Sequence, residues 1–315
     1  MISFTSNIKN EIAFYTGTKD EEMSTLSAIV RNNAKYDENK IVISTENSKV
    51  ARRVYLLLSD IYNLSVTITD RDNAFNRNRL YLIQATGDII FVLKDLQVID
   101  DNLKYKKVIS NYMIENEDDK RAYLRGIFLS CGSVNDPKTS RYHLEFFIEK
   151  VDEAYFVNDL LNSYLLNSKV ILKDKKYMVY IKEAEKIGDF LRIIGASNAV
   201  MYYEDIRIYR DHKNMTNRLN NMEQANIEKT INTALDQIND INIIMKVFGE
   251  ELLDDKIKEV CKYRIQYPES SLQELSEIMS NELNKNITKS GLNHRFRKIR
   301  EMANRIKESK KNEIF

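Results

Sequence analysis

The sequence predicts an α+β fold in which a duplicated mixed body is followed by an all-α C-terminal segment. Three observations carry that expectation. Helix and strand patterns run in the same order through residues 21–96 and 120–194, the strand signal stops near 197, and 250–311 shows only helical spacing. The expected boundaries are a body at 1–200 with pseudo-repeats at about 1–100 and 101–200, a helical linker at 201–248, and a C-terminal domain at 249–315.

Each element has a local reason. In the first copy, EEMSTLSAIVRNNA (21–34) is an apolar helix and IVISTE (41–46) alternates as a strand. NSKVARRVYLLLSDIY (47–62) is helical, with Asn47 or Ser48 as its N-cap. LSVTITD (64–70) and RLYLIQA (79–85) are strands joined by the turn-forming DRDNAFNRN, and a short helix follows at 87–96. In the second copy, KRAYLRGIFLSCG (120–132) is the leading helix, YHLEFFIE (142–149) a strand and VDEAYFVNDLLNSYL (151–165) a helix. SKVILKD (168–174) and KYMVYIK (176–182) form a hairpin before a helix at 183–194. The symmetry also asks for a short strand after each leading helix. Residues 215–248, rich in Asn, Gln and charge, read as connecting helices, and three further helices are expected at 251–266, 271–282 and 288–308.

Composition removes several classes of function. The 48 Lys and Arg against 47 Asp and Glu leave a formal charge of +1, so any argument for a polyanionic partner must be local. Eight glycines, two prolines and no G-x-G-x-x-G or G-x-x-x-x-G-K string remove the usual nucleotide cradles. Cys131 and Cys261 are too far apart in sequence to suggest a paired-cysteine site, and no apolar run approaches bilayer length. Cytoplasmic location is expected, with no membrane contact, metal or cofactor. His143, His212 and His294 form no metal-binding spacing.

In the second leading helix, Gly126 and Ser130 lie four apart on one face, a spacing that lets another helix approach closely, and Ala28 and Asn32 hold the corresponding positions in the first. The two helices could pair across a pseudo-twofold axis. On pattern alone they could equally be two buried helices with no special role. LRGIFLSCG, the following SVNDPKTSRYHLEF, NRLNNMEQANIEKT (217–230) and ITKSGLNHRFRKIREMANRI (287–306) together resemble the bacterial WhiA family across essentially the whole chain. That resemblance implies a degenerate LAGLIDADG homing-endonuclease-like body, two halves in one chain, followed by a helix-turn-helix domain. It also implies a DNA-binding regulator linked to cell division, chromosome segregation or sporulation and associated with the nucleoid.

In active nucleases of that fold, an acidic residue before the final glycine of each leading helix holds metal. Here those positions are Asn33, before Ala34, and Cys131, before Gly132. An amide is a poor ligand for hard cations and a thiolate prefers softer ones, so no nuclease activity is expected. Glu21, Glu22, Asp118 and Asp119 lie at the opposite helix ends, where they act as caps, and Asp136 belongs to the turn Asn135-Asp136-Pro137.

Charge is concentrated in the last helix, where Lys285 to Lys311 hold ten bases against Glu301 and Glu308. Leu292, Phe296, Ile299, Ala303 and Ile306 form its core stripe, and helix 271–282 supplies Leu272, Leu275, Ile278 and Met279, with Leu283 and Ile287 closing the turn. Thr288 is the expected N-cap. Lys289, Ser290, Asn293, His294, Arg297 and Lys298 are the candidate DNA contacts. Arg295 joins them but projects toward the stripe, and Lys307 and Lys310 are expected on the backbone. The same pattern, without a partner, is a solvated charged face. Arg79, Tyr81, Lys176, Tyr177 and Tyr180 on the strands are open between DNA contact and solvent. Double-stranded DNA is the expected partner, with room for other regulatory proteins. The rival classes are a metal-dependent nuclease with residual activity, which cleavage would reveal, and a protein-interaction scaffold, which would bind DNA only incidentally.

Overall fold

The computed structural model describes residues 2–72, 79–107, 109, 111–139, 141–249 and 253–312. The chain divides into two compact units, Met1–Asp211 and His212–Phe315. The first opens with α1 (Phe4–Ile12), an element the sequence reading did not assign. Ser3 caps it, and Phe4, Ile8 and Ile12, four apart, are buried. The first half continues with α2 (Lys19–Asn33), β1 (Ala34–Tyr36), β2 (Lys40–Thr45), α3 (Ser48–Tyr62), β3 (Ser65–Asp72), β4 (Arg79–Thr86) and α4 (Ile89–Asp95). After a 3-10 turn at Asn111–Ile114, the second half repeats the order. It comprises α5 (Glu117–Cys131), β5 (Gly132–Val134), β6 (Leu144–Ile148), α6 (Val151–Ser163), β7 (Lys169–Lys173), β8 (Lys176–Ile181) and α7 (Ala184–Ile193).

The two sheets have the same antiparallel topology, β1-β2-β4-β3 and β5-β6-β8-β7, so the duplication extends to strand pairing. The short strands β1 and β5 follow the leading helices as the symmetry required. Asn47 caps α3 by accepting from the amides of Lys49 and Val50. The hairpin between β7 and β8 turns on Asp174 and Lys175, both at positive φ, the geometry of a two-residue turn matched to strand twist. The middle of the 70–78 turn, residues 73–78, lies outside the described residues. One face of each sheet covers the helices, through Ile41, Ile43, Ile83 and Ala85 in the first and Leu144, Phe146, Ile148, Val179 and Ile181 in the second. The alternation leaves Val42, Ser44 and Leu82, and Phe147, Lys176 and Tyr180, on the opposite faces.

The helices α2 and α5 form the centre of this unit. A β-carbon on Gly126 would lie 2.4 Å from the Thr25 carbonyl oxygen and 2.7 Å from the Ala28 Cβ, so only glycine permits the observed approach. Thr25 also donates from its hydroxyl to the Ala122 carbonyl at 3.1 Å. A buried ion pair ties the halves together. Arg31 of α2 meets Glu153 of α6 at 2.7 Å, with side-chain exposures of 0% and 1%. The guanidinium also donates to the Tyr105 hydroxyl at 2.8 Å and to backbone carbonyls of Gln97 and Lys106, while Tyr123 and Asn32 donate to the second Glu153 oxygen. Burial opposes the charge on Arg31, and Glu153 overcomes that penalty, holding the guanidinium above its ordinary value.

Beyond the strands, residues 197–248 form one unbroken helix, α8 (Ser197–Phe248), where the sequence suggested several. No glycine or proline occurs between 197 and 248, so the segment carries no stop signal. The second unit adds α9 (Asp255–Gln266), α10 (Leu272–Leu283) and α11 (Lys289–Asn312). The helix expected at 251–266 starts at Asp255 with Asp254 at its N-cap, while residues 250–252 lie outside the described residues. Its core joins Ile257, Val260, Leu275, Met279, Leu292, Phe296, Ile299 and Ala303 to Ile241 and Ile244 from the end of α8.

Two substitutions test the central packing. Gly126→Ala is expected to cost about 1–3 kcal/mol through overpacking. Glu153→Gln, which strands the Arg31 charge, is expected to cost about 3–5 kcal/mol, whereas the double change Arg31→Met, Glu153→Leu recovers part of that loss. Urea unfolding of the first-unit transition measures both. An unchanged midpoint for Gly126→Ala would mean that the helices do not meet as described.

Candidate nucleic-acid interface and the foot of the paired helices

Asn33 and Cys131 are the last residues of α2 and α5. Asn33 Nδ2 donates to the Ser44 carbonyl at 2.8 Å, so its amide is spent on holding α2 to β2. Cys131 donates from its sulfur to the Ile127 carbonyl at 3.5 Å, and burial pushes its thiol up to about 11. Both line a cavity of about 620 Å³ with Lys35, Lys150 and Lys176. A divalent cation does not fit this donor set, because the amide is already committed, the thiol is neutral, and the carboxylate in the lining, Glu149, is paired with Lys176 and outnumbered by three lysines. Among the described residues no group of three or more His, Cys, Asp or Glu is placed to hold a metal.

Of the acids at the other helix ends, which were expected as caps, only Glu21 takes part in one among the described residues. Thr18 and Glu21 form a reciprocal capping box on α2, and Glu22 pairs with Arg53 at 3.0 Å. Asp119 lies in the first turn of α5, where its amide is capped by Asn116. His143 pairs with Glu145 at 3.0 Å on β6.

In the second unit, α10 and α11 are joined at a closed turn. Ser271 and Glu274 form a capping box at the start of α10, and Asn284 ends it in the left-handed conformation. Ile287 is buried in the turn as expected, and Ser280, which sequence reasoning passed over, accepts from the Ile287 amide at 3.0 Å. Arg264 was also missed. Its guanidinium is buried, donates to the Ser270 carbonyl at 2.7 Å, and lies over the Phe296 ring at 5.3 Å, fixing the α9 to α10 turn against α11. A buried arginine in a helix-turn-helix is visible in sequence only as one more base among many.

Thr288 caps α11, its hydroxyl accepting from the Gly291 amide at 3.2 Å. The first turns then present Lys289, Ser290, Asn293, His294, Arg297 and Lys298, all exposed. Among the described residues Lys289, Asn293, His294 and Lys298 make no side-chain bond. Arg297 approaches Glu301 at 3.4 Å, a solvent-screened pair that competes weakly with any other partner. Arg295 is half-buried with one terminal nitrogen enclosed and unpartnered among the described residues, so it turns toward the protein. Lys307 requires a correction, because it pairs with Asp240 of α8 at 2.8 Å and holds α11 in its own unit. The side chains of Lys310 and Lys311 lie outside the described residues.

The strand candidates separate by face. Lys176 and Tyr180 alternate with the buried Val179 and Ile181 and share the face away from the helices, whereas Tyr177 lies on the helix side with them. Arg79 and Tyr81 likewise alternate onto the face of Ile83 and Ala85, at the strand end. Lys176 is paired with Glu149 at 2.9 Å and Arg79 approaches Asp70 at 3.7 Å.

Comparison with known proteins agrees with this architecture in every part. Residues 19–99 match the WhiA N-terminal LAGLIDADG-like domain, 120–213 the WhiA LAGLIDADG-like domain, and 216–303 the WhiA C-terminal HTH domain. A protein of Bacillus cytotoxicus named "Probable cell division protein WhiA" is 41% identical over 311 residues, covering 97% of this chain and 98% of its own length. A protein of Oceanobacillus iheyensis with the same name is 39% identical over the same shares. The crystal structure of full-length DUF199/WhiA from Thermatoga maritima superposes with a TM-score of 0.59 at 25% identity, covering 96% of this chain and 98% of that one. The separate N-terminal LAGLIDADG domain of DUF199/WhiA superposes at 0.50 and 24% identity, over 62% of this chain and 91% of that one. With its paired helices, its two matched sheets and its helix-turn-helix unit all accounted for by one set of relatives over nearly its whole length, the chain belongs to the WhiA family.

Proposed function

We propose that this chain is a non-catalytic, sequence-specific DNA-binding regulator acting in cell division, chromosome segregation or sporulation on the nucleoid. The observation that carries the reading is the exposed, largely unpaired set Lys289, Ser290, Asn293, His294, Arg297 and Lys298 at the capped start of α11, the second helix of the α10 to α11 pair. Such a helix places its N-terminal residues against base edges in the major groove. Asn293 has the donor and acceptor to pair with adenine N6 and N7, and Arg297 can release Glu301 to pair with guanine O6 and N7. Lys289 and Lys298 supply phosphate contacts and Ser290 and His294 bond to either kind of group. Lys307, paired with Asp240, holds the helix in its own unit, and Arg295 is turned inward. The body contributes no cleavage chemistry, because Asn33 and Cys131 stand where two metal-holding carboxylates are needed. The names of the relatives support the link to cell division.

Two experiments on the full chain test this reading. Incubated with its bound duplex in Mg²⁺ and then Mn²⁺, the protein is expected to leave both strands intact, and site-specific cuts would restore the nuclease alternative. Asn293→Ala and Arg297→Ala are each expected to cost about 1–3 kcal/mol at the specific site and to relax preference at one base position. Lys298→Ala is expected to weaken specific and scrambled duplexes alike and to lower the magnitude of the salt slope by about one. Equal losses on both duplexes for Asn293→Ala and Arg297→Ala would place base reading elsewhere.

A further inference from the structure

The cavity at the foot of α2 and α5 is lined by more bases than acids. Lys35, Lys150 and Lys176 line it against Glu149, leaving a local charge of +2, while Arg31 and Glu153 cancel one another. Lys176 is engaged by Glu149. Lys150 is not engaged by any carboxylate among the described residues. Its ammonium lies 3.4 Å from the centroid of the Tyr105 ring, and the Tyr105 hydroxyl is in turn fixed by Arg31 and Glu153. Burial, and the Arg31 guanidinium beside it, bring Lys150 down to about 8, against the opposing pull of Glu153 and Glu149. A half-buried ammonium with no carboxylate paired to it gains more from an incoming dianion than a solvated lysine does. Lys35 on β1 is exposed at the rim and adds a second cation. The remaining wall is apolar, with Val42 and Leu82 from one sheet and Phe147 from the other.

We propose that this cavity binds a small phosphorylated organic molecule directly, its phosphate on Lys150 and Lys35 and its organic part against Phe147, Leu82 and Val42. A volume of about 620 Å³ is that of a small-molecule site, and apolar walls serve an organic group. A duplex backbone crossing the mouth would leave the recess unfilled. The ligand contacts belong to the first unit and involve no residue of α11, so the inference stands apart from the assignment of DNA contacts there.

The test is calorimetric titration of the full chain with ADP, with pyrophosphate and with adenosine, in EDTA to remove divalent cations. ADP is expected to bind with a Kd tighter than about 1 mM, pyrophosphate more weakly, and adenosine not measurably. Lys150→Gln and the rim variant Lys35→Gln are each expected to weaken ADP at least fivefold without moving the thermal transition, while Lys229→Gln, exposed on α8, changes nothing. At pH 8, titration in two buffers of different ionisation enthalpy is expected to show uptake of about half a proton per ADP in the parent protein and little in Lys150→Gln. Absence of ADP and pyrophosphate binding, or equal binding by parent and both variants, would overturn the proposal. So would Lys150→Gln weakening a DNA duplex as much as it weakens ADP, since the cavity would then be a backbone contact.

Discussion

The close approach of α2 and α5 at Gly126 is the constraint on which the first unit depends. With the two backbones this near, Thr25 reaches the Ala122 carbonyl, and almost every residue from Ser24 to Arg31 is buried. Polar side chains on so enclosed a helix must find partners. Ser24 donates to the Met113 carbonyl at 2.6 Å and Ser27 to the Leu96 carbonyl at 2.7 Å, so α2 also fastens the segment that joins the two halves. The sheets are placed by the same contact, because each must cover its own side of the helix pair. Their uncovered faces then meet the helix ends at a single recess, the cavity containing Asn33 and Cys131.

The fold is duplicated but its chemistry is not. Each half supplies one leading helix and one sheet, yet the buried ion pair joins unlike positions. Arg31 comes from the first leading helix, Glu153 from α6 of the second half, and Tyr105 from the connection between them. A buried ion pair adds little to stability relative to well-packed apolar groups, but breaking one side is costly. Here the pair connects the two halves of the unit. It also borders the recess, where burial, and Arg31 beside it, set Lys150 apart from a solvated lysine and its ammonium lies over the Tyr105 ring.

Charge in a nearly neutral chain is organised by the protein's own pairings. In α11, Lys307 is neutralised by Asp240 and Arg295 is drawn inward, which leaves the positive and amide groups of the first turns facing solvent. The count of bases along that helix therefore overstates the cationic surface. Arg300 and Arg305 also stay exposed further along the helix, but the groups nearest the capped end lie where a helix can approach the edges of bases.

The sequence by itself determined the elements and their duplication, because periodicity and capping chemistry are local. Asn47, Thr288, the stripe from Leu292 to Ala303 and the small residue Gly126 all announced their roles. The short helix α1 was less visible, since Phe4, Ile8 and Ile12 become a core face only beneath the rest of the body. Only the tertiary structure decided which charges meet. Arg31 and Glu153 are 122 residues apart and Lys307 and Asp240 are 67 apart, and a pattern along the chain reports the face of its own helix, not the face it will touch. For the same reason the cationic recess was not legible, because Lys35, Lys150 and Lys176 come from three separate segments whose convergence depends on how two sheets close around one helix pair.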